Sequence, residues 1–162
     1  MSYLRIISID KPKGWTSFDV VRFVKRQFQE KKVGHLGTLD PMATGVLPVF
    51  LGQATRLIPL FNNVDKTYRA ICKFGESTDT YDAEGTVTQT LDPSFLNQQE
   101  VTKAVYSFLG QQEQQTPAFS AAKVNGVPSY KLARKGLKVP VKIRPVTFHE
   151  LEVESVELPF LQ

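Results

Sequence analysis

The chain has little of what metal, redox and membrane chemistry commonly need. Its one cysteine, Cys72, cannot form an internal disulfide and fits a reducing compartment. Two histidines, His35 and His149, fall short of a zinc-ligand cluster even with that cysteine. No run of about 18 apolar residues is present, and the N-terminus lacks the basic region and apolar stretch of a signal peptide. The expectation is a cytoplasmic protein with no membrane segment and no metal. Several enzyme motifs are missing too. There is no glycine-rich loop ending in Gly-Lys-Ser/Thr and no Gly-x-Ser-x-Gly elbow. Two residues after Asp40 stands Met42, where a nucleophilic-aspartate phosphatase would carry a second aspartate.

Negative charge is also missing from one long segment. No Asp or Glu occurs from Gln114 to His149, while Lys123, Lys131, Arg134, Lys135, Lys138, Lys142 and Arg144 all lie there. A second basic cluster, Arg22, Lys25, Arg26, Lys31 and Lys32, precedes Asp40. Either cluster alone could be a solvated face. Two of them, one interleaved with Phe119 and Tyr130, favour a phosphate backbone as partner, although the net charge is only +4.

At 162 residues and 41% hydrophobic, the chain can bury a core in one domain, or at most two. Leu4 to Ile9 reads as a strand. Thr16 or Ser17 caps a helix with Phe18, Val21, Val24 and Phe28 at helical spacing. Leu47 to Leu51 reads as a buried strand and Ala54 to Leu60 as a short helix. Thr67 to Phe74 alternates, placing Tyr68, Ala70, Cys72 and Phe74 on its more apolar face, with Thr86 to Thr90 as its expected partner. Asn97 and Glu100 form a capping box for a helix ending before Gly110, with Val101, Val105 and Phe108 inward. Residues 111–145 lack strong periodicity and read as an inserted arm. Val146 to Leu158 resumes strand alternation, with a phase break near His149.

The most informative run is Gly34 to Val49, GHLGTLDPMATGVLPV. Gly34, Gly37, Pro41 and Gly45 surround one carboxylate, Asp40, and Pro41 biases Asp40 away from helix. Asp40 is therefore expected on a stiff, irregular turn. Such an aspartate can simply cap or brace a turn. The run, however, resembles the signature of the TruB-type tRNA pseudouridine synthases. Lys11-Pro12-Lys13-Gly14-Trp15-Thr16-Ser17 resembles that family's first motif, and Lys66-Thr67-Tyr68-Arg69-Ala70 its tyrosine strand. Ser77 to Gly85 is similar to the loop that follows. Pro117 to Gly126, with Tyr130 and Ala133-Arg134, is similar to the insertion that grips RNA. The blocks stand in family order and cover nearly the whole chain.

The resemblance implies conversion of a uridine in the T loop of tRNA, at position 55, to pseudouridine. The bond from ribose C1′ to uracil N1 breaks, the base rotates, and C1′ joins C5, so no cofactor is required. It implies Asp40 as the catalytic carboxylate and Tyr68 as the residue that stacks on the base and takes the C5 proton. Read without it, Tyr68 is a core or edge tyrosine. His35 would fill the space left when the nucleotide leaves its stack, although a loop histidine often serves a turn. Gly37, Thr38, Lys66, Arg69, Lys123, Tyr130 and Arg134 are the implied substrate-binding positions. The implied partner is the tRNA T stem-loop.

The implied fold is α+β, a mixed and mostly antiparallel sheet with flanking helices. Residues 1–162 would form the N-terminal part of the catalytic domain, with 111–145 as its RNA-binding arm. Family members continue with a Gly-Thr-Tyr-Ile-Arg-like motif, whose arginine pairs with the aspartate, and usually a C-terminal RNA-binding domain. This sequence contains neither. The expectations are impaired activity, an unpaired sheet edge that invites self-association together with exposed apolar surface such as Leu158, Phe160 and Leu161, and a rival reading as a non-catalytic RNA-binding or tRNA-folding module.

Overall fold

The computed structural model describes residues 4–115, 123–124, 126–129, 132, 136–137, 139–140 and 143–162. The chain divides into two compact units, Met1–Thr67 and Tyr68–Gln162.

The first unit begins with strand β1 (Arg5–Lys11) and helix α1 (Ser17–Gln27), followed by β2 (Val33–His35), β3 (Gly45–Leu51) and a 3₁₀ helix (Gly52–Phe61). The sheet order is β1-β3-β2 and both pairings are antiparallel. Helix α1 starts where a capping box satisfies its first free amides. Asp19 N donates to Thr16 Oγ1 at 3.1 Å, and Thr16 N donates back to Asp19 Oδ2 at 2.8 Å. It ends in a Schellman turn, with Gln29 in the left-handed region at φ 49° and Glu30 N donating to Lys25 O at 3.1 Å.

The buried stripe of α1 is Ser17, Val20, Val21 and Val24, at i, i+3, i+4 and i+7. This corrects the sequence expectation at two positions. Phe18 and Phe28 are 58% and 43% exposed. Phe18 lies under the Arg22 guanidinium at 5.5 Å and Phe28 under that of Arg5 at 5.8 Å. Val20 and Val24 pack with Leu47, Val49 and Leu51, and Ile7, Ile9, Val33 and Leu39 close over them. Full burial of each such side chain stabilises by about 1.5–3 kcal/mol. Phe50, on the other phase of β3, meets Phe61 of the 3₁₀ helix with ring centroids 5.8 Å apart.

In the second unit only Cys72–Lys73 of the alternating run 67–74 forms a strand, β4. The apolar-face residues Tyr68 and Cys72 are exposed. Next come β5 (Glu76–Thr78) and β6 (Val87–Thr90), which pair with each other. The expected pairing of 86–90 with 67–74 is therefore corrected. Asp79 decides it: its backbone N donates to Thr86 O at 3.1 Å and its Oδ1 accepts from Thr86 N at 2.8 Å, closing a hairpin across the loop.

Helix α2 (Gln98–Tyr106) is capped by Asn97, whose Oδ1 accepts from Glu100 N at 2.9 Å. Val101 is buried, but Phe108 lies beyond the helix, 53% exposed, and meets Phe148 edge-on at 6.4 Å. Strands β7 (Gly110–Gln115) and β10 (Ile143–Phe148) pair antiparallel over six residues, Gly110↔Phe148 through Gln115↔Ile143. Between them in sequence, β8 (Lys123–Val124) pairs with β9 (Val127–Pro128). The phase break foreseen at His149 falls where β10 ends. Strands β11 (Val156–Glu157) and β12 (Phe160–Leu161) then complete a sheet ordered β11-β12-β4. Among the described residues every strand pairing is antiparallel, in an α+β fold.

Candidate active site

His35 ends β2 and the connection from there to β3 carries Gly37, Thr38 and Asp40, held by the core from several sides. Gly34 lies against the 3₁₀ helix, where an added Cβ would come 2.8 Å from Ile58 Cδ1. The His35 ring bonds through Nδ1 to the Gly37 carbonyl. Because a carbonyl only accepts, Nδ1 carries the proton and Nε2 is left for other contacts. Gly37 sits at φ +73°, a region that glycine enters without penalty.

Either side of Asp40 is pinned, Leu39 to the start of α1 and Pro41 to the end of β1 and the turn after it. Leu39 N donates to Ser17 Oγ at 2.9 Å, and the Ser17 hydroxyl lies 3.1 Å from Leu39 O, which it can reach as donor. Pro41 O accepts from Gly14 N at 2.7 Å and from Lys11 Nζ at 3.3 Å. Lys11 is fully buried, and its Nζ also donates to Trp15 O at 2.6 Å and Pro12 O at 3.0 Å. Ala43 N donates to Asp40 O at 3.0 Å, closing the turn. The backbone on both sides is thus fixed while the Asp40 side chain stays exposed. Of the ion pairs described in this unit, Arg5–Glu30 and Arg22–Asp19, neither includes Asp40. A fixed backbone presenting a solvent-facing carboxylate suits nucleophilic or charge-stabilising chemistry.

The remaining expected positions are placed as follows. Lys66 Nζ donates to Val64 O at 3.0 Å. Tyr68 opens the second unit, 71% exposed. Arg69 is engaged by Glu154, with Nη2 at 2.6 Å and Nε at 2.7 Å from Oε1. Lys123 lies in β8. Tyr130 and Arg134 fall outside the described residues. Sequence reasoning missed Ser17 as an anchor of the Asp40 turn, since only the fold brings it to Leu39. Lys11, known from sequence only as part of the run that resembles the family's first motif, braces the same turn through Pro41 O. Among the described residues no cluster of His, Cys, Asp or Glu could hold a metal, and no helix is long and apolar enough to cross a membrane.

The fold is shared with solved structures. A solved Cbf5-Nop10-Gar1 complex matches 96% of this chain and 37% of its own with a TM-score of 0.60 and 25% identity. A solved H/ACA RNP bound to a substrate RNA containing 2'-deoxyuridine shares the fold with a TM-score of 0.64 at 24% identity, over 96% of this chain and 35% of its own. The description "TruB family pseudouridylate synthase (N terminal domain)" matches residues 25–162, which include Asp40 and Tyr68. The chain belongs to the TruB family of pseudouridylate synthases. It is 47% identical to the tRNA pseudouridine synthase B of Syntrophotalea carbinolica over 95% of its own length and 50% of the relative's. Against the enzyme of that name from Clostridium tetani the identity is 46%, over 97% and 54%. The Geotalea uraniireducens enzyme is 48% identical over 94% and 49%. The chain thus spans about half the length of these relatives.

Proposed function

We propose that this protein acts on tRNA as a pseudouridine synthase, isomerising the T-loop uridine at position 55. Asp40 is its nucleophile and Tyr68 its base-stacking residue. In this reading an Asp40 oxygen bonds to ribose C1′ as the C1′–N1 bond breaks, and the electron pair stays on uracil N1. The freed base turns and C5 attacks C1′, expelling the carboxylate. The C5 proton leaves through Tyr68 and N1 gains one, so the composition is unchanged. His35 fills the place of the flipped nucleotide, and flipping costs a few kcal/mol. Gly37 and Thr38 shape the pocket, while Lys66, Arg69 and the arm at Lys123, Tyr130 and Arg134 meet the RNA backbone.

The observation that carries the reading is the Asp40 turn, fixed through Leu39 and Pro41 with its carboxylate left exposed. Family membership and the relatives' names support it. A second reading, a non-catalytic RNA-binding module, draws on one observation: neither described ion pair of the first unit supplies Asp40 with a cation. Tritium release from a T-arm stem-loop made with 5-tritiated uridine separates the two. Release supports the synthase. Tight RNA binding with no release supports the binding module.

A further inference from the structure

Beside the Asp40 turn lies an open groove of about 580 Å³, lined by Gly14, Trp15, Asp19, Arg22, Phe23 and Arg26. It adjoins the proposed site, because the amide of Gly14 donates to Pro41 O at 2.7 Å, one residue from Asp40. Two features set its chemistry. Trp15 and Phe23 meet edge-on with centroids 5.9 Å apart, yet remain 40% and 39% exposed, so aromatic surface is offered to a ligand. The charge of the lining is positive. Its one carboxylate, Asp19, is occupied by the Thr16 amide and hydroxyl and by Arg22, and Arg26 enters no ion pair among the described residues. Aromatic faces beside an uncompensated guanidinium match a nucleotide, with the base on the rings and the phosphate on the cation.

The geometry points to this groove as the seat of an unpaired nucleotide next to the target uridine, its base on Trp15 and Phe23 and its phosphate on Arg26. Trp15 would then be an RNA-binding contact, set by the same 11–15 turn that braces Asp40. This inference rests on the proposed RNA substrate.

Trp15 is the sole tryptophan of the chain, so its fluorescence reports the groove directly. The experiment titrates the chain with a T-arm stem-loop, then with stem-loops made abasic at each neighbour of the target uridine in turn. The expected result is saturable quenching by the intact RNA. One abasic position should lose most of the quenching and weaken binding about tenfold, within the range of base–aromatic stacking. Arg26→Gln, at an exposed position, should weaken binding of every RNA and lower the salt slope by about 1. RNA binding that leaves Trp15 fluorescence unchanged and is indifferent to Arg26→Gln would overturn the groove and leave the synthase reading standing. No RNA binding at all would overturn both. Quenching by an acidic peptide but not by RNA would make the groove a protein-docking site and sink the proposal.

Discussion

Lys11→Met tests whether the Asp40 turn is held from beneath. The Lys11 side chain is fully buried, with Nζ on the carbonyls of Trp15, Pro12 and Pro41 at 2.6, 3.0 and 3.3 Å. Methionine fills nearly the same volume, so the packing change is small, under about 1.5 kcal/mol. The carbonyls decide the rest. Pro41 O keeps Gly14 N at 2.7 Å, and Pro12 O keeps Trp15 N at 3.4 Å. Trp15 O loses its one partner among the described residues, and an orphaned acceptor costs about 1–3 kcal/mol. Relief from burying a cation offsets part of this, leaving a net loss of about 2 kcal/mol. For a chain of this size that is about 4–8 °C in Tm. Thermal unfolding followed by circular dichroism measures the loss. Amide exchange at Gly14 should quicken alongside, because its acceptor, Pro41 O, is loosened. A Tm within about 1 °C of wild type, with Gly14 exchange unchanged, would refute the bracing role.

Two other perturbations have defined outcomes. Asp19 is held at about 2, below the usual 3.8, first by the Thr16 hydroxyl bond and then by Arg22 and the Thr16 amide. A depressed folded-state value means its stabilisation is complete above about pH 4 and is lost as pH falls toward about 2. Urea midpoints measured across that window should fall for wild type and fall less steeply for Asp19→Ala, and parallel curves would contradict the cap. Gly37→Ala meets no atom within 4 Å but places a Cβ at φ +73°, so it should cost about 1–2 kcal/mol by left-handed strain alone. A lower urea midpoint at unchanged m checks this.

Local signals were legible where backbone chemistry is local. Thr16, one of the two expected caps, marks the start of α1, Asn97 with Glu100 that of α2, and the shift at His149 the end of β10. The glycines and proline around Asp40 gave its turn. What escaped depended on partners far along the chain. The run Gly110–Gln115 is mostly glutamine, with no alternation and little strand propensity. It becomes a strand only because Ile143–Phe148 lies beside it. Conversely, 67–74 alternates well but, among the described residues, forms a strand only at Cys72–Lys73, beside Phe160–Leu161. Phe18 and Phe28 have helical spacing, yet Ser17 and Val20 take the inward seats because the Ser17 hydroxyl must reach Leu39. At the site, the carboxylate was visible in sequence, whereas its anchor at Ser17 was not.

The central claim is that Asp40 is the nucleophile of a uridine isomerisation. Tritium release from a 5-tritiated T-arm stem-loop, run with the wild-type chain and with Asp40→Asn, tests it most directly. Asparagine keeps the shape of the turn and removes the charge, so RNA binding should hold while release falls by about a thousandfold or more. Equal release from both chains would contradict the account.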